Sequence, residues 1–313
     1  MADFLFALNT VLPLLLLMSL GWFCRSIGLL TDALVKGVNQ LVFRVFLPVN
    51  LCVSVMNTPY DTAISANAFL LAALGLTADF GILFLLIPRL EKDRRKIGVM
   101  IQGMARGNYA FFGIPLVAML FPGQDTSLAS LMVIVTIPVY NILSVVALCV
   151  YGEGEMKLGK VLLNIIKNPL IIGTAFGFLF WTLRFQPPAF LRTALNDIGK
   201  VATPLALFTL GGAIQFSSAK NHLRQLLISV PWKLVISPLV FVAIGVAMGL
   251  RGIALACIYI AFGAPTAVSS YTMTQQMGGD VELSAEIVAI TSALCIVTTF
   301  VFVFAMKTSG LLL

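Results

Sequence analysis

The most regular feature of this sequence is a series of long apolar runs separated by short polar or Gly/Pro-rich clusters. Ten runs are each about as long as the ~20 apolar residues that a helix needs to cross a bilayer core. They cover residues 4–24, 36–56, 65–88, 97–121, 127–151, 160–182, 194–216, 227–249, 253–277 and 283–306. The pattern predicts an all-α integral membrane protein with ten transmembrane helices.

The fourth and ninth runs differ from the others because each is interrupted near its middle. Residues 103–108 break the fourth run, and residues 263–266 break the ninth. In lipid, an interrupted helix is tolerated only where its freed backbone groups face protein or a water-filled cavity. We therefore expect helices 4 and 9 to be broken, to cross near the membrane midplane and to line a substrate path.

The two halves of the chain resemble each other at a fixed offset of 156 residues. This shift superimposes Pro13 on Pro169, Gly21 on Gly177, Arg44 on Lys200, Pro48 on Pro204, Gly107 on Gly263 and Gly123 on Gly279. Each half holds five predicted helices, an odd number, so the second half is expected to be inverted in the membrane. We predict a first five-helix repeat at residues 1–152 and a second, inverted repeat at residues 153–313. Inverted repeats are typical of secondary transporters.

Composition and charge support a membrane protein and indicate its orientation. Of the 313 residues, 59% are hydrophobic and 11% are charged, against ~25% charged in soluble domains. If both termini lie outside the cytoplasm, the inner loops hold Arg25, Lys36, Arg89, Lys92, Arg94, Arg95, Lys96, Lys157, Lys160, Lys220 and Arg224, whereas the outer loops hold Arg184, Arg192, Arg251 and Lys307. Basic residues accumulate in cytoplasmic loops. The net charge of +7 therefore reflects a multi-pass topology among membrane lipids, in the plasma (inner) membrane, and not a nucleic-acid partner.

Polar residues at and near the two breaks form the candidate substrate site. The N-terminus of a half-helix carries unpaired N–H groups and partial positive charge, which favour a carboxylate. The candidates are Asn108, Arg106, Gly107, Pro265, Thr266, Ser269 and Ser270, with Asn141, Tyr140, Gln102 and Asn50 able to complete a cavity. A mid-span arginine costs at least ~2.5 kcal/mol unless it is paired or hydrated. Arg106 is therefore expected either to attract a substrate carboxylate or to pair with an acidic side chain or carbonyls.

Asp79 is the one acidic residue predicted deep within a span, so it is the candidate site for coupling to H⁺ or Na⁺. The alternative is a static salt bridge between Asp79 and Arg106. His222 falls in a basic loop, where we expect it to be solvated. The chain lacks metalloprotease, nucleophile-elbow, phosphate-loop and dinucleotide motifs, so we expect neither an enzyme nor an ATP-driven pump, and no cofactor or metal site.

Five stretches of the sequence carry a further signal: LVFRVFLP (41–48), GNYAFFGIP (107–115), KNPLIIG (167–173), TPLALFTLGG (203–212) and GAPTAVSS (263–270). Together they resemble the auxin efflux carrier family, and the resemblance is closest to its short prokaryotic members. The resemblance implies a scaffold domain from helices 1, 2, 6 and 7, and a transport domain from helices 3–5 and 8–10. It also implies elevator-like movement of organic anions and a homodimer formed through the scaffold.

The sequence departs from the plant members of that family at three positions. Gly107 stands where they carry proline, although Asn108 and Pro265 are retained. Leu83 replaces the basic residue that follows one turn after the acidic residue matched by Asp79. Arg106 has no counterpart in the plant pattern, and we expect it to select a smaller or more highly charged carboxylate.

These features predict a secondary active transporter for a small organic anion. A mono- or dicarboxylate such as malonate, malate or lactate is expected to bind between Asn108 and Thr266. The alternatives are a sodium-coupled symporter resembling the bile-acid carriers, a passive channel, and a membrane sensor that binds its ligand without moving it.

Overall fold

The computed structural model describes residues 2–58, 65–152, 163, 166–213 and 222–312. Within these residues the chain is helical and contains no β-strand. Among the described residues, five helices are long and apolar enough to cross a membrane: Asp32–Met56, Ala66–Leu90, Ser127–Tyr151, Leu223–Ala247 and Val281–Thr308. The predicted all-α class is confirmed and the helices are those of a multi-pass membrane protein, while the ten-span inverted repeat stays a prediction.

The helices follow the predicted apolar runs in order. They are α1 (Ala2–Ser26), α2 (Asp32–Met56), α3 (Ala66–Leu90), α4a (Arg94–Ala105), α4b (Tyr109–Gly113 continuing as Ile114–Leu120), α5 (Ser127–Tyr151), α6 (Pro169–Thr182), α7 (Ala189–Ala213), α8 (Leu223–Ala247), α9a (Gly252–Gly263), α9b (Ser269–Met277) and α10 (Val281–Thr308). The fourth and ninth runs are each split into two helices, as the Gly- and Pro-containing clusters predict. The junction predicted after residue 152 and the loop lysines Lys157, Lys160 and Lys220 lie outside the described residues.

Short polar side chains begin several of these helices. Asp93 accepts a hydrogen bond from the N–H of Arg95 at the start of α4a, and Asp280 accepts one from Leu283 at the start of α10. Each cap satisfies one of the N–H groups that a helix N-terminus leaves without an internal partner. The caps account for why α4a and α10 start just before their apolar runs begin.

In the described part of the chain, three π-helical turns interrupt the otherwise regular helices, at Val42–Phe46, Tyr109–Gly113 and Trp232–Ile236. Each is followed two residues later by a proline. A proline has no N–H for the carbonyl four residues earlier, and its ring pushes that carbonyl away. The preceding turn widens, and the side chains on it are re-aimed.

Glycines let two pairs of helices pack with their backbones close together. A side-chain carbon added at Gly173 of α6 would lie 2.4 Å from the carbonyl oxygen of Pro48 in α2. One added at Gly211 of α7 would lie 1.9 Å from the carbonyl oxygen of Met18 in α1. Small residues at helix contacts are the usual means of tight association in membranes. Helices α1, α2, α6 and α7 are therefore joined by close pairwise contacts.

Candidate functional site

The two broken helices meet where their interruptions pair with each other. Gly107 and Thr266 form an antiparallel bridge. The N–H of Asn108 donates to the carbonyl oxygen of Pro265 at 2.8 Å, and that of Ala267 donates to the carbonyl oxygen of Arg106 at 3.4 Å. Backbone groups freed by the breaks thus satisfy one another. We call this paired segment, residues 106–108 with 265–267, the crossing.

Lys233 lies against the crossing and has no exposed surface. Its Nζ donates to the carbonyl oxygens of Ala105 and Phe262 at 3.2 and 3.1 Å. These carbonyls lie at the C-terminal ends of α4a and α9a, where the helix dipole favours a cation. One ammonium therefore joins the ends of both broken helices.

Lys233 is absent from the sequence-based candidates. The sequence does carry a signal for it, because a basic residue inside an apolar run is also what singles out Arg106. The π-helical turn Trp232–Ile236 carries the lysine, and its side chain reaches two half-helices that are distant from it in sequence. The sequence therefore identifies the lysine as unusual within a span, but it does not predict its two partners, which are backbone carbonyl oxygens.

Arg106 is the C-cap residue that directly follows α4a, and it is 3% exposed. Its Nη2 donates to Asn141 Oδ1 and to Ser269 Oγ, both at 2.7 Å. Its Nη1 contacts the sulfur of Met273. Among the described residues no carboxylate forms an ion pair with this guanidinium, so the alternative of a static salt bridge to Asp79 is not found.

Asp79 instead bonds to two residues of α8, one on either side of Lys233 in the sequence. Its carboxylate is 1% exposed and accepts hydrogen bonds from Trp232 Nε1 at 3.1 Å and Ser237 Oγ at 3.0 Å. Lys233 acts on this carboxylate electrostatically. Arg106, Lys233 and Asp79 are thus three buried charges gathered near the crossing, with a net charge of +1 when all are ionised.

A pocket lies beside the crossing and collects most of the predicted site residues. It is lined by Leu47, Asn50, Leu51, Arg106, Gly107, Asn108, Tyr109, Ala110, Ile137, Tyr140, Asn141, Ala267 and Ser269. Its cavity volume is about 50 Å³. The first residues of α4b and α9b, Tyr109 and Ser269, are in its wall. The pocket therefore combines one cation, amide groups and two helix N-termini, which together suit a carboxylate.

The other predicted residues, including Pro265, do not line this pocket. Thr266 Oγ1 donates to the carbonyl oxygen of Gly103 at 2.6 Å. Gln102 Nε2 donates to the carbonyl oxygen of Ser270 at 3.1 Å. These contacts tie α4a to the ninth helix pair, so the residues hold the crossing together behind the pocket.

Tyr140 and Asn50 connect the pocket wall to neighbouring backbone. The Tyr140 hydroxyl donates to the carbonyl oxygen of Ala261, and Asn50 Nδ2 donates to that of Gly199 at 2.9 Å. No hydrogen bond from the Asn108 side chain is found to any described residue, and this amide faces the pocket. Asn108 is therefore the amide in the wall whose side chain is open to a ligand.

The expectation that His222 is solvated is wrong. The residue is 5% exposed, with Nδ1 2.9 Å from Glu286 Oε2 and Nε2 3.6 Å from Asp280 Oδ2. It immediately precedes α8, whose first turns pack against the start of α10. Tertiary packing thus places the ring between two carboxylates, although its sequence neighbourhood is polar and basic.

Comparison with known proteins gives a family model and three relatives of nearly equal length. The model described as "Membrane transport protein" matches residues 6–159 and 155–303. A "Putative malonate transporter" of Rhizobium meliloti is 24% identical over 310 residues, covering 96% of each chain. An "Uncharacterized transporter" of Methanocaldococcus jannaschii is 22% identical over 299 residues, 94% of each chain. Another, of Methanothermobacter thermautotrophicus, is 22% identical over 301 residues, covering 94% of this chain and 97% of that one.

Proposed function

The chain belongs to the membrane transport protein family, and from this premise we propose that it is a secondary active transporter for a small organic anion. The match confirms the resemblance to the auxin efflux carriers. We propose a mono- or dicarboxylate such as malonate, malate or lactate as substrate. The name of the Rhizobium meliloti relative agrees with this chemical class.

The observation that carries the proposal is the buried Arg106 in the pocket wall. Its hydrogen-bond partners are neutral, so its charge is balanced by no adjacent carboxylate among the described residues. A guanidinium offers planar, paired N–H groups that match a carboxylate. The N-termini of α4b and α9b add partial positive charge at the same place. We assign the substrate carboxylate to Arg106 and the open amide of Asn108.

We propose the proton as coupling ion, taken up and released by Asp79. The carboxylate is buried beside Lys233, and a change in its protonation would change the net charge near the pocket by one unit. Discontinuous helices elsewhere hold Na⁺ on the carbonyls at their half-helix ends. In this chain Lys233 already bonds to such carbonyls, which favours H⁺ over Na⁺.

For the movement itself we propose the elevator arrangement expected from the sequence. A scaffold of α1, α2, α6 and α7 would hold still while α3–α5 and α8–α10 carry the crossing across the membrane. The close glycine contacts of α6 with α2 and of α7 with α1 support the scaffold. The proposal includes ten spans in two inverted repeats, both termini outside the cytoplasm, the plasma membrane as location and a homodimer through the scaffold.

The experiment is uptake of radiolabelled malonate and lactate by purified protein in liposomes. Arg106→Gln and Asn108→Ala are expected to abolish uptake, because they remove the assigned carboxylate partners. Arg89→Gln is the matched control, since Arg89 is exposed at the end of α3. Uptake that survives both pocket substitutions would overturn the site.

Coupling is tested in the same liposomes. An imposed pH gradient is expected to drive uptake by the natural sequence, and Asp79→Asn is expected to remove that dependence. Transport by the natural sequence that ignores the pH gradient would overturn the role of Asp79 without affecting the assignment of the pocket.

A further inference from the structure

The side-chain amide of Asn141 joins the pocket to α6. Its Oδ1 accepts from Arg106 Nη2 at 2.7 Å, and its Nδ2 donates to Thr174 Oγ1 at 3.1 Å. The Thr174 hydroxyl itself donates to the carbonyl oxygen of Leu170 at 2.7 Å. Because a guanidinium has only donors, the amide oxygen must face Arg106 and the amide nitrogen must face Thr174. The orientation of Asn141 is therefore set by Arg106.

A carboxylate that binds Arg106 in the paired mode has to compete for Nη2. Such binding uses two parallel N–H groups, and the two forks of a guanidinium are Nε with Nη2 and Nη1 with Nη2. Both hydrogens of Nη2 are already engaged, by Asn141 and by Ser269. Paired binding of a carboxylate therefore displaces one of these two side chains.

Of these two side chains, Asn141 is the one that we expect a carboxylate to displace. The Ser269 hydroxyl can rotate and donate to an incoming carboxylate oxygen. The Asn141 oxygen is an acceptor only and would be repelled by the anion. Turning the Asn141 amide over brings its N–H groups to the carboxylate, but this takes them away from Thr174. The Thr174 hydroxyl can pair with the turned amide oxygen only by giving up its own bond to the carbonyl oxygen of Leu170.

Apolar side chains surround the hydrogen bond between Asn141 and Thr174. A cavity of about 310 Å³ lies beside it between α5 and α6. Apart from these two residues it is lined by Ile134, Pro138, Ile142, Ile171, Ala175 and Phe178. Loss of the hydrogen bond thus removes a directional restraint at a place where the two helices are not tightly packed.

We propose that the hydrogen bond between Asn141 and Thr174 links α5 to α6 while the pocket is empty and is lost when a carboxylate binds. The empty carrier is then restrained, and the loaded carrier is free to move. This inference rests on the proposed function, in which α5 moves and α6 stays. It makes Thr174 a positioning residue that touches no substrate. The restraint is one hydrogen bond of ordinary strength, equivalent to a roughly 2- to 10-fold change in rate.

The test compares net uptake with exchange in proteoliposomes, using radiolabelled malonate and lactate. Net uptake requires the empty carrier to return, whereas exchange uses only the loaded carrier. Thr174→Val is expected to raise net uptake roughly 2- to 10-fold and to leave exchange unchanged. Thr174→Ser keeps the hydroxyl and should keep the natural ratio. Thr182→Val is the matched control on α6, because the exposed Thr182 hydroxyl donates to its own helix.

The outcomes separate this inference from the proposed function. An unchanged ratio in Thr174→Val, with exchange intact, overturns the role of Thr174 and leaves the transporter assignment standing. An equal fall in net uptake and exchange assigns Thr174 a merely structural role and also overturns the inference. Natural protein that neither takes up nor exchanges a carboxylate overturns both proposals.

Discussion

Replacing Lys233 by methionine tests whether one ammonium stabilises both broken helices. The substitution keeps an unbranched side chain of similar length but removes the charge and the donors. It leaves the carbonyl oxygens of Ala105 and Phe262 without the bonds at 3.2 and 3.1 Å. The expected result is a loss of folding free energy, because each carbonyl lies at a buried helix end.

The magnitude follows from two opposing effects. Two hydrogen bonds to a charged donor contribute about 1.5–3 kcal/mol each. Against this, methionine avoids the cost of burying an ammonium, which is offset in the natural protein in part by the nearby Asp79 carboxylate. We expect Lys233→Met to lower the free energy of unfolding by about 2–4 kcal/mol. Denaturant titration in detergent micelles measures this quantity.

Two further variants make the measurement decisive. Lys200→Met is the matched control, because Lys200 pairs with Asp197 at an exposed site, where such pairs contribute about 0–1 kcal/mol. The double variant Asp79→Asn/Lys233→Met should be less destabilised than the sum of its single changes, since it removes both compensating charges. A Lys233→Met protein no less stable than Lys200→Met would refute the reasoning.

Three other outcomes follow from the structure. Gly107→Ala should cost about 1–3 kcal/mol of stability, because the added carbon would lie 3.1 Å from the Tyr140 hydroxyl; Gly37→Ala, in open space on α2, should be neutral or stabilising in the same titration, and equal effects would contradict this. His222→Leu should cost about 1.5–3 kcal/mol by removing the contact with Glu286 at 2.9 Å, and an unchanged denaturation midpoint would count against a structural role for the ring. Liposome uptake should be the same when choline replaces Na⁺ at constant pH, whereas a steep loss would restore the sodium-coupled alternative.

Much of the fold could be predicted because lipid imposes a simple rule. A span must satisfy its own backbone groups, so long apolar runs become helices. The two breaks were predictable for the same reason, since Gly107 and Pro265 interrupt runs that would otherwise be continuous. Hydrophobicity, glycine and proline therefore locate the helices and the crossing.

The contacts of single polar side chains could not be predicted in the same way. Lys233 sits in a run whose average is strongly apolar, and its partners are backbone oxygens, which have no signature in the sequence. His222 meets Glu286, 64 residues away, only because α8 packs against α10. Arg106 could be identified as costly in a membrane, but its neutral partners depend on how α5 and α9b approach α4a.

At the crossing, main-chain atoms form the junction between the two broken helices, whereas side chains supply the polar groups of the pocket. The N–H of Asn108 and the carbonyl of Pro265 pair through main-chain atoms, which every sequence carries, apart from the N–H that proline lacks. Side chains at positions 106, 108 and 269 can then change during evolution without dismantling the junction between the two helices. In the proposed site, a change of substrate would require substitution of only a few wall residues on an inherited backbone, and exchanging these positions between relatives would test that expectation.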